Sequence, residues 1–388
     1  MGNFPVAGIL LYVLGGLAGA VFYLPFGRVR KWAWESYWMI YALVGLIVVP
    51  WVLAWIVSPN VLKVLQGADG RTLFWCYAFG AMWGLGGLTW GLMIRYLGVG
   101  LGLAIGCGLC ASAGTLIPPV FQGKLAALLA APSGIATLSG VAISLLGIVL
   151  VGGAGMSKES ELPEEKKKAA VAEFDFKKGI LVAIFSGLMS SAMNFGLQSG
   201  ESLQAAATRI APVTSDTWKG VPVLVVVLLG GFTVNCLWCL MLNVKNRTAG
   251  DYTNLGTPIL GNLFFAGLAG AIWCSQMIFL KVADTKIGPL AFVGWSVLMS
   301  SAILFSAVLG IFLGEWKGVS GRTKGLLAAG LAVLVTAVII AGYGNKLKAE
   351  EDQQSKSSRP LACVQARTLR FEEDQAAKNV APITAPQT

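Results

Sequence analysis

The 388-residue chain is 56% hydrophobic and 12% charged, against roughly 25% charged residues in an ordinary soluble domain. Apolar runs of about twenty residues recur along it, each able to cross a hydrocarbon core about 30 Å thick, which excludes a soluble catalytic or nucleic-acid-binding domain. The net charge of +10 does not alter this, because the basic residues fall between the apolar runs, where they act as topology signals.

The runs lack the alternating pattern of barrel strands, so helices must satisfy the backbone in lipid. The first span is expected from about Val6 to Phe26. It is read as part of the mature protein, since no Lys or Arg precedes it. A basic turn (Arg28, Arg30, Lys31) and an aromatic belt (Trp32, Trp34, Trp38) around Glu35 introduce the second span, which runs to about Val57. The third, Thr72 to Ile94, carries FGAMWGLGGLTWGLMIRYLG at 79–98. There Gly80, Gly84, Gly87 and Gly91 share one helical face suited to close packing, and Trp83 and Trp90 lie on an adjacent stripe from which both rings can face a shared cavity. The fourth runs from about Gly98 to Val120 and the fifth from Ser133 to Gly153.

Residues 155–178 hold six Lys and six Asp or Glu, an abrupt change that divides the chain. The sixth to tenth spans are expected at 179–199, 221–244, 258–280, 288–313 and 324–344. The non-periodic, charged tail at 345–388 reads as disordered. The organisation is therefore a first five-helix unit at 1–154, a charged linker at 155–178, a second five-helix unit at 179–344, and the tail.

Five and five suggests an internal repeat. Gly16 to Ala20 matches Gly187 to Ser191, which sets Tyr23 against Asn194. Ala81, Met82 and Trp83 match Ala271, Ile272 and Trp273. An odd number of helices per unit makes the second copy enter the membrane from the opposite side. The expected fold class is an all-α integral membrane protein with ten transmembrane helices as two five-helix inverted repeats. The connections after the odd-numbered spans are richer in Lys and Arg, so that side is expected to be cytoplasmic and both termini periplasmic.

No acidic residue falls in the middle of a span as drawn, and the centre offers uncharged groups instead: Tyr23, Thr89, Ser190, Ser191, Asn194, Gln198, Gln276 and Ser296, with Trp83, Trp90, Trp273 and Trp295. Two-sided hydrogen-bonding groups among flat rings suit a neutral polyhydroxylated solute. The same groups also serve packing: Ser and Thr bond back to their own helix, and Asn and Gln bridge helices. Ser190, Ser191 and Ser296 fit packing better, while Asn194 and Gln276 stand open between the two roles. Glu35 is read as an interface residue paired with Arg30 or Lys31, and also as a proton acceptor.

Enzymatic readings lack support. The chain has no histidine, no nucleophile elbow, no phosphate-binding loop and no acid cluster at metal-ligand spacing. Cys107 with Cys110, and Cys236 with Cys239, have C-x-x-C spacing but sit in apolar spans without acidic neighbours, so they read as packing residues. No cofactor, metal or nucleic-acid partner is expected.

AVFYLPFGRVRKWAWESYW at 20–38, the 79–98 stretch, GTLIPP at 114–119, Ala192 to Asn194, Trp273 with Gln276, and Gly314 to Trp316 together resemble the L-rhamnose-proton symporter family, within the drug/metabolite transporter superfamily. The resemblance reaches to about Gly344. It implies a ten-helix inverted-repeat fold in the bacterial inner membrane, proton-coupled import of L-rhamnose or a related deoxy sugar, and no catalysis. It directs attention to Tyr23, Trp83, Thr89, Asn194, Trp273 and Gln276 for the sugar, and to Glu35 or Asp284 for the proton. The family pattern has asparagines at the places of Gly87 and Thr89, tyrosine at Trp90 and histidine at Asp284, so sugar choice is expected to differ at Gly87 and Thr89. An exporter or exchanger of another metabolite in the same fold, and a membrane sensor or enzyme for lipid-linked sugar, are the competing readings.

Overall fold

The computed structural model describes residues 6–121, 123–161, 176–287, 291, 293–312, 314 and 316–379, and every regular element among them is helical. The long helices are α1 (Val6–Val21), α2 (Trp34–Val57, with a π turn at Val44–Val48), α3 (Gly70–Phe121), α4 (Pro132–Ser160), α5 (Phe176–Ser199), α6 (Val221–Asn246), α7 (Ile259–Ile287), α8 (Gly294–Phe312) and α9 (Gly321–Asn379). Among the described residues eight helices are long and apolar enough to cross a membrane, and α3 adds the apolar stretch Ile105–Val120. Large apolar side chains such as Trp55, Leu181, Val244, Leu260 and Phe312 point outward, as a lipid-facing surface requires.

The stretches expected as the third and fourth spans form one helical assignment, α3, yet their packing runs in opposite directions. Along the first arm, Leu97, Gly86 and Phe79 meet Gly179, Ser190 and Gly196 of α5, so the two run antiparallel. Along the second arm, Gly106 meets Gly187, and Gly114 accepts a hydrogen bond from Asn194, so that arm runs parallel to α5. A Cβ built on Gly106 would lie 2.8 Å from Met93 Sδ, whereas the same stretch of straight helix spans about 20 Å. The chain therefore turns back between Leu97 and Ile105, and α5 lies against both arms.

Helix α1 lies between α7 and α8 much as α5 lies against the arms of α3. Gly8 abuts Lys286 and Ile287, Gly15 faces the Gln276 carbonyl, and Gly19 faces the Gln276 amide. In α5, Gly179 abuts Tyr96 and Leu97, the Ser186 hydroxyl donates to the Gly86 carbonyl, and Ser190 faces Gly86. One constant shift in numbering carries the α1 residues onto the α5 residues, and a second carries Gly86, Tyr96 and Leu97 onto Gln276, Lys286 and Ile287. Helix α2 crosses α7 with Gly270 against the Tyr41 carbonyl and Gly45, and α6 crosses α3 with Gly80 against the Val227 carbonyl and Gly231.

Helices α4 and α9 pair antiparallel along the side. Each receives an N-terminal cap from a glutamate of the other or just past its end. Glu351 accepts from Ser133 N (3.0 Å) and Ser133 Oγ (2.7 Å) at the start of α4. Glu161 accepts from the Ser320 amide, Ser320 Oγ (2.6 Å) and Thr323 Oγ1 at the start of α9. Both carboxylates satisfy amide groups that a helix start leaves without partners. Glu351 lies in the stretch read from composition as a disordered tail; α9 continues through it to Asn379, where Ala, Glu, Lys and Gln favour a helix. Residues 162–175 of the expected linker and 380–388 of the tail lie outside the described residues.

The glycine face of α3 divides. Gly80 and Gly84 meet α6 as expected, but a Cβ on Gly87 or Gly91 would find nothing within 4 Å, and it is Gly86 that packs on α5. Gly80→Val is expected to abolish the monodisperse peak in size-exclusion chromatography of the detergent-extracted protein, while Gly87→Ala retains it. Hydrogen bonds from the Ser320 and Thr323 hydroxyls hold the Glu161 carboxyl below its usual range, so its cap stabilises above the unfolded pKa and is lost as pH falls through the folded one. Glu161→Gln should lower the melting temperature near neutral pH, and its difference from wild type should shrink toward about pH 3.

Candidate functional site

At the middle of the helix crossings the rings of Trp83 (α3) and Trp273 (α7) stack, with centroids 4.9 Å apart and planes inclined by 25°. Gly231 of α6 leaves the room that the Trp83 ring occupies. Tyr41 of α2 stands edge-on to Trp273 at 6.4 Å, and Trp38 lies 4.7 Å from Tyr41. The Trp38 indole donates to Asn235 Oδ1 (2.9 Å), and the Asn235 amide is itself held by the Gly231 carbonyl (2.8 Å). One turn beyond Trp273, the buried Gln276 lays its amide over Gly19 of α1. Among the described residues, no hydrogen bond reaches that amide. Gln276 thus presents a side-chain amide beside a double aromatic surface.

The remaining expected sugar contacts lie elsewhere. Thr89 bonds back to the Leu85 and Gly86 carbonyls and meets the Ser186 hydroxyl at 2.5 Å. Trp90 does not share a cavity with Trp83: its indole donates to Ser190 Oγ (2.8 Å) on α5. Asn194 is buried and donates to the Gly114 carbonyl at 2.6 Å, tying α5 to the second arm of α3. Ser191 bonds back to its own helix, and Ser296 reaches Ser144 across to α4. Tyr23 lies past the end of α1, 42% exposed, with its ring edge-on to Phe22.

The two carboxylates singled out in the sequence sit at opposite ends of α7. Glu35, in the first turn of α2, is 5% exposed and accepts from Asn246 Nδ2 (2.9 Å) and Thr248 Oγ1 (2.8 Å). Beside it Asp251 caps α2 through Ala33 N (2.8 Å) and Ser36 Oγ (2.7 Å), and Asn262 at the start of α7 brackets the backbone of Arg30. At the other end of α2, Asn60 donates to the Ala207 and Ile210 carbonyls and accepts from Thr214, which also bonds Ser58. Polar ties thus join α2 to the second half of the chain at both ends.

Asp284 lies within a helix and not in the connection after it. Helix α7 does not stop near Leu280 but continues to Ile287, carrying Lys281 and Asp284 within it. Lys281 Nζ lies 2.7 Å from Asp284 Oδ2, with its side chain 9% exposed, and the Tyr12 hydroxyl of α1 donates to Asp284 Oδ1 at 2.9 Å. Mutual neutralisation at i,i+3 lets the helix carry both charges inward. About six turns of α7 separate this group from the Glu35 end at Asn262.

The chain matches the family model for the L-rhamnose-proton symport protein (RhaT) over residues 1–346. The chain belongs to that family. Among its relatives are the L-rhamnose-proton symporters of Yersinia pestis (strain Pestoides F) and Yersinia pseudotuberculosis serotype O:3 (strain YPIII), each 31% identical over 348 residues, which cover 89% of this chain and 99% of the relative. The symport family is one of transporters, not enzymes.

Sequence reasoning missed Tyr12, Trp38, Tyr41, Asn235 and Lys281. Asn235 was findable as a lone amide in the apolar run of α6, and Lys281 by its i,i+3 spacing to Asp284. Trp38 reads as part of an interfacial belt, and Tyr12 and Tyr41 carried no such mark, because aromatics occur throughout the apolar segments. A double-mutant cycle of Trp83→Ala and Trp273→Ala, read by thermal unfolding in detergent, should return a coupling of about 0.5–1.5 kcal/mol.

Proposed function

We propose that this protein carries L-rhamnose or a closely related deoxy sugar across the bacterial inner membrane together with protons, and that it does so as a ten-helix pair of inverted repeats. The recurrence of α1 contacts in α5, and of α2–α7 contacts in α6–α3, supports the repeat. The fold-back of α3 supplies two arms where eight long apolar helices alone leave the count short. With the basic connections on the cytoplasmic side, both termini are periplasmic.

The stacked Trp83 and Trp273 carry the assignment of the sugar site. They come from equivalent places in the two halves and meet where a transporter of this architecture places its substrate. A deoxy sugar offers a methyl group and C–H faces for indole surfaces, and hydroxyls for Gln276. In the closed arrangement the rings occupy one another, so substrate entry requires them to part. Thr89 and Asn194 spend their polar groups on neighbouring helices and act by positioning α5, and Tyr23 lies at one mouth of the path. Coupling needs a carboxylate that takes up and releases the proton, and Glu35 and Asp284 are the two in place.

Exchange of labelled L-rhamnose by purified protein in proteoliposomes, competed by other sugars, tests the reading. Gln276→Ala should raise the half-saturating concentration about tenfold, the loss of one substrate hydrogen bond. No exchange of any sugar would overturn it, and uptake indifferent to an imposed pH gradient would point to an exchanger.

A further inference from the structure

We propose that Lys281, Asp284 and Tyr12 form the proton-carrying site, with Asp284 as the acceptor and Lys281 as the counter-ion that its protonation releases. The inference rests on the symport reading and decides between the two carboxylates. It starts from placement. Lys281 and Asp284 form a largely buried ion pair (2.7 Å; side chains 9% and 22% exposed) in the last turns of α7, a helix long and apolar enough to cross a membrane, and charge carried on such a helix is kept for a purpose. The third member comes from another helix: Tyr12 is fully buried on α1 and donates to Asp284 Oδ1 at 2.9 Å.

The contact pattern supplies the second argument. The numbering shifts that superpose α1 on α5 and the first arm of α3 on α7 place Ala183 at the position of Tyr12, Gly91 at Lys281 and Ile94 at Asp284. None of the three can carry or receive a proton. The scaffold recurs, but the charged group occurs in one half alone, so its three side chains are not needed to pack this kind of helix crossing.

Other charged neighbours are few. Helix α1 contributes only Tyr12, and α8 has no titratable side chain. The turn before α6 packs Gly220 against the Lys281 stem, and its Asp216 and Lys219 are paired with each other at 2.8 Å. Lys286 on α7 lies a turn further out, with its Cβ beside Gly8. Glu35 is a poorer acceptor because its carboxylate fastens α2 to Asn246 and Thr248.

The step balances simply. A proton adds to the Asp284 carboxylate, the neutral ion pair becomes a single cation on Lys281, and Tyr12 keeps a neutral partner. Loss of the proton on the other side restores the pair. Helix α7 carries Asp284 and Trp273 on one rigid element about three turns apart, so release of Lys281 and parting of the indoles act on the same helix.

The test uses the full chain in proteoliposomes, with an imposed inside-alkaline gradient and labelled L-rhamnose. Asp284→Asn should reduce an accumulation ratio of about ten to about one. Accumulation by Asp284→Asn equal to wild type, or its loss only in Glu35→Gln, overturns the proposal. The double variant Lys281→Met/Asp284→Asn removes both charges together and guards against misfolding from an unpaired ion. It should fold, as judged by thermal unfolding, and equilibrate sugar without accumulating it. Accumulation by the double variant overturns the proposal as well. A readout independent of sugar is infrared pH titration of the purified protein: a protonated-carboxyl band present in the wild type and absent from Asp284→Asn. The same band retained in Asp284→Asn overturns the proposal. If the wild type exchanges no sugar, the symport reading fails, and the infrared titration still decides the site.

Discussion

The fold depends on backbone meeting backbone where helices cross. Lipid offers helices little hydrophobic reward for associating, so packing of small residues carries the association. Gly270 against the Tyr41 carbonyl and Gly80 against the Val227 carbonyl bring α2 onto α7 and α6 onto α3 at distances that a methyl group would forbid. The π turn at Val44–Val48 lies at one of these crossings. Trp83 and Trp273 follow the two crossing glycines by three residues, so the same contacts that build the scaffold bring the indoles face to face.

Around that centre the polar groups divide into those consumed by structure and those left over. Asn194, Ser190 and Thr89 join α5 to the arms of α3. Glu35, Asp251 and Asn262 tie one end of the helix system, and Asn60 with Thr214 ties the other. Both ends are tied and the indoles are in contact. Parting the helices at either end means exchanging one set of hydrogen bonds for water, an exchange with a small net cost because water replaces the partners. Gln276 brings to the centre an amide that no hydrogen bond among the described residues engages.

Repetition and departure from it have different consequences. Where the two halves make the same contacts, the residues are Gly, Ser and Ala, and their role is proximity. Where they differ, chemistry enters: Gln276 stands at the place of Gly86, and the Lys281–Asp284 pair at the place of Gly91 and Ile94.

Composition and run length by themselves determined that the chain is a helical membrane protein, since backbone polar groups in lipid leave few alternatives. Two short matches, Gly16 to Ala20 with Gly187 to Ser191 and Ala81 to Trp83 with Ala271 to Trp273, already contained the shifts that the contacts follow, because residues at close crossings have few substitutes. Motifs carried the family, which the match over residues 1–346 bears out. Tertiary structure alone decided which small residues touch: Gly86 packs and Gly87 does not, although both suit the same helix, because only the neighbouring helix defines the contact face. It also decided that Trp83 meets Trp273 while Trp90 turns to Ser190, and that Lys281 and Asp284 lie within α7. A charge near the end of an apolar run reads as the end of the span; only a partner in space, here Tyr12 across from α7, shows that the helix carries it inward.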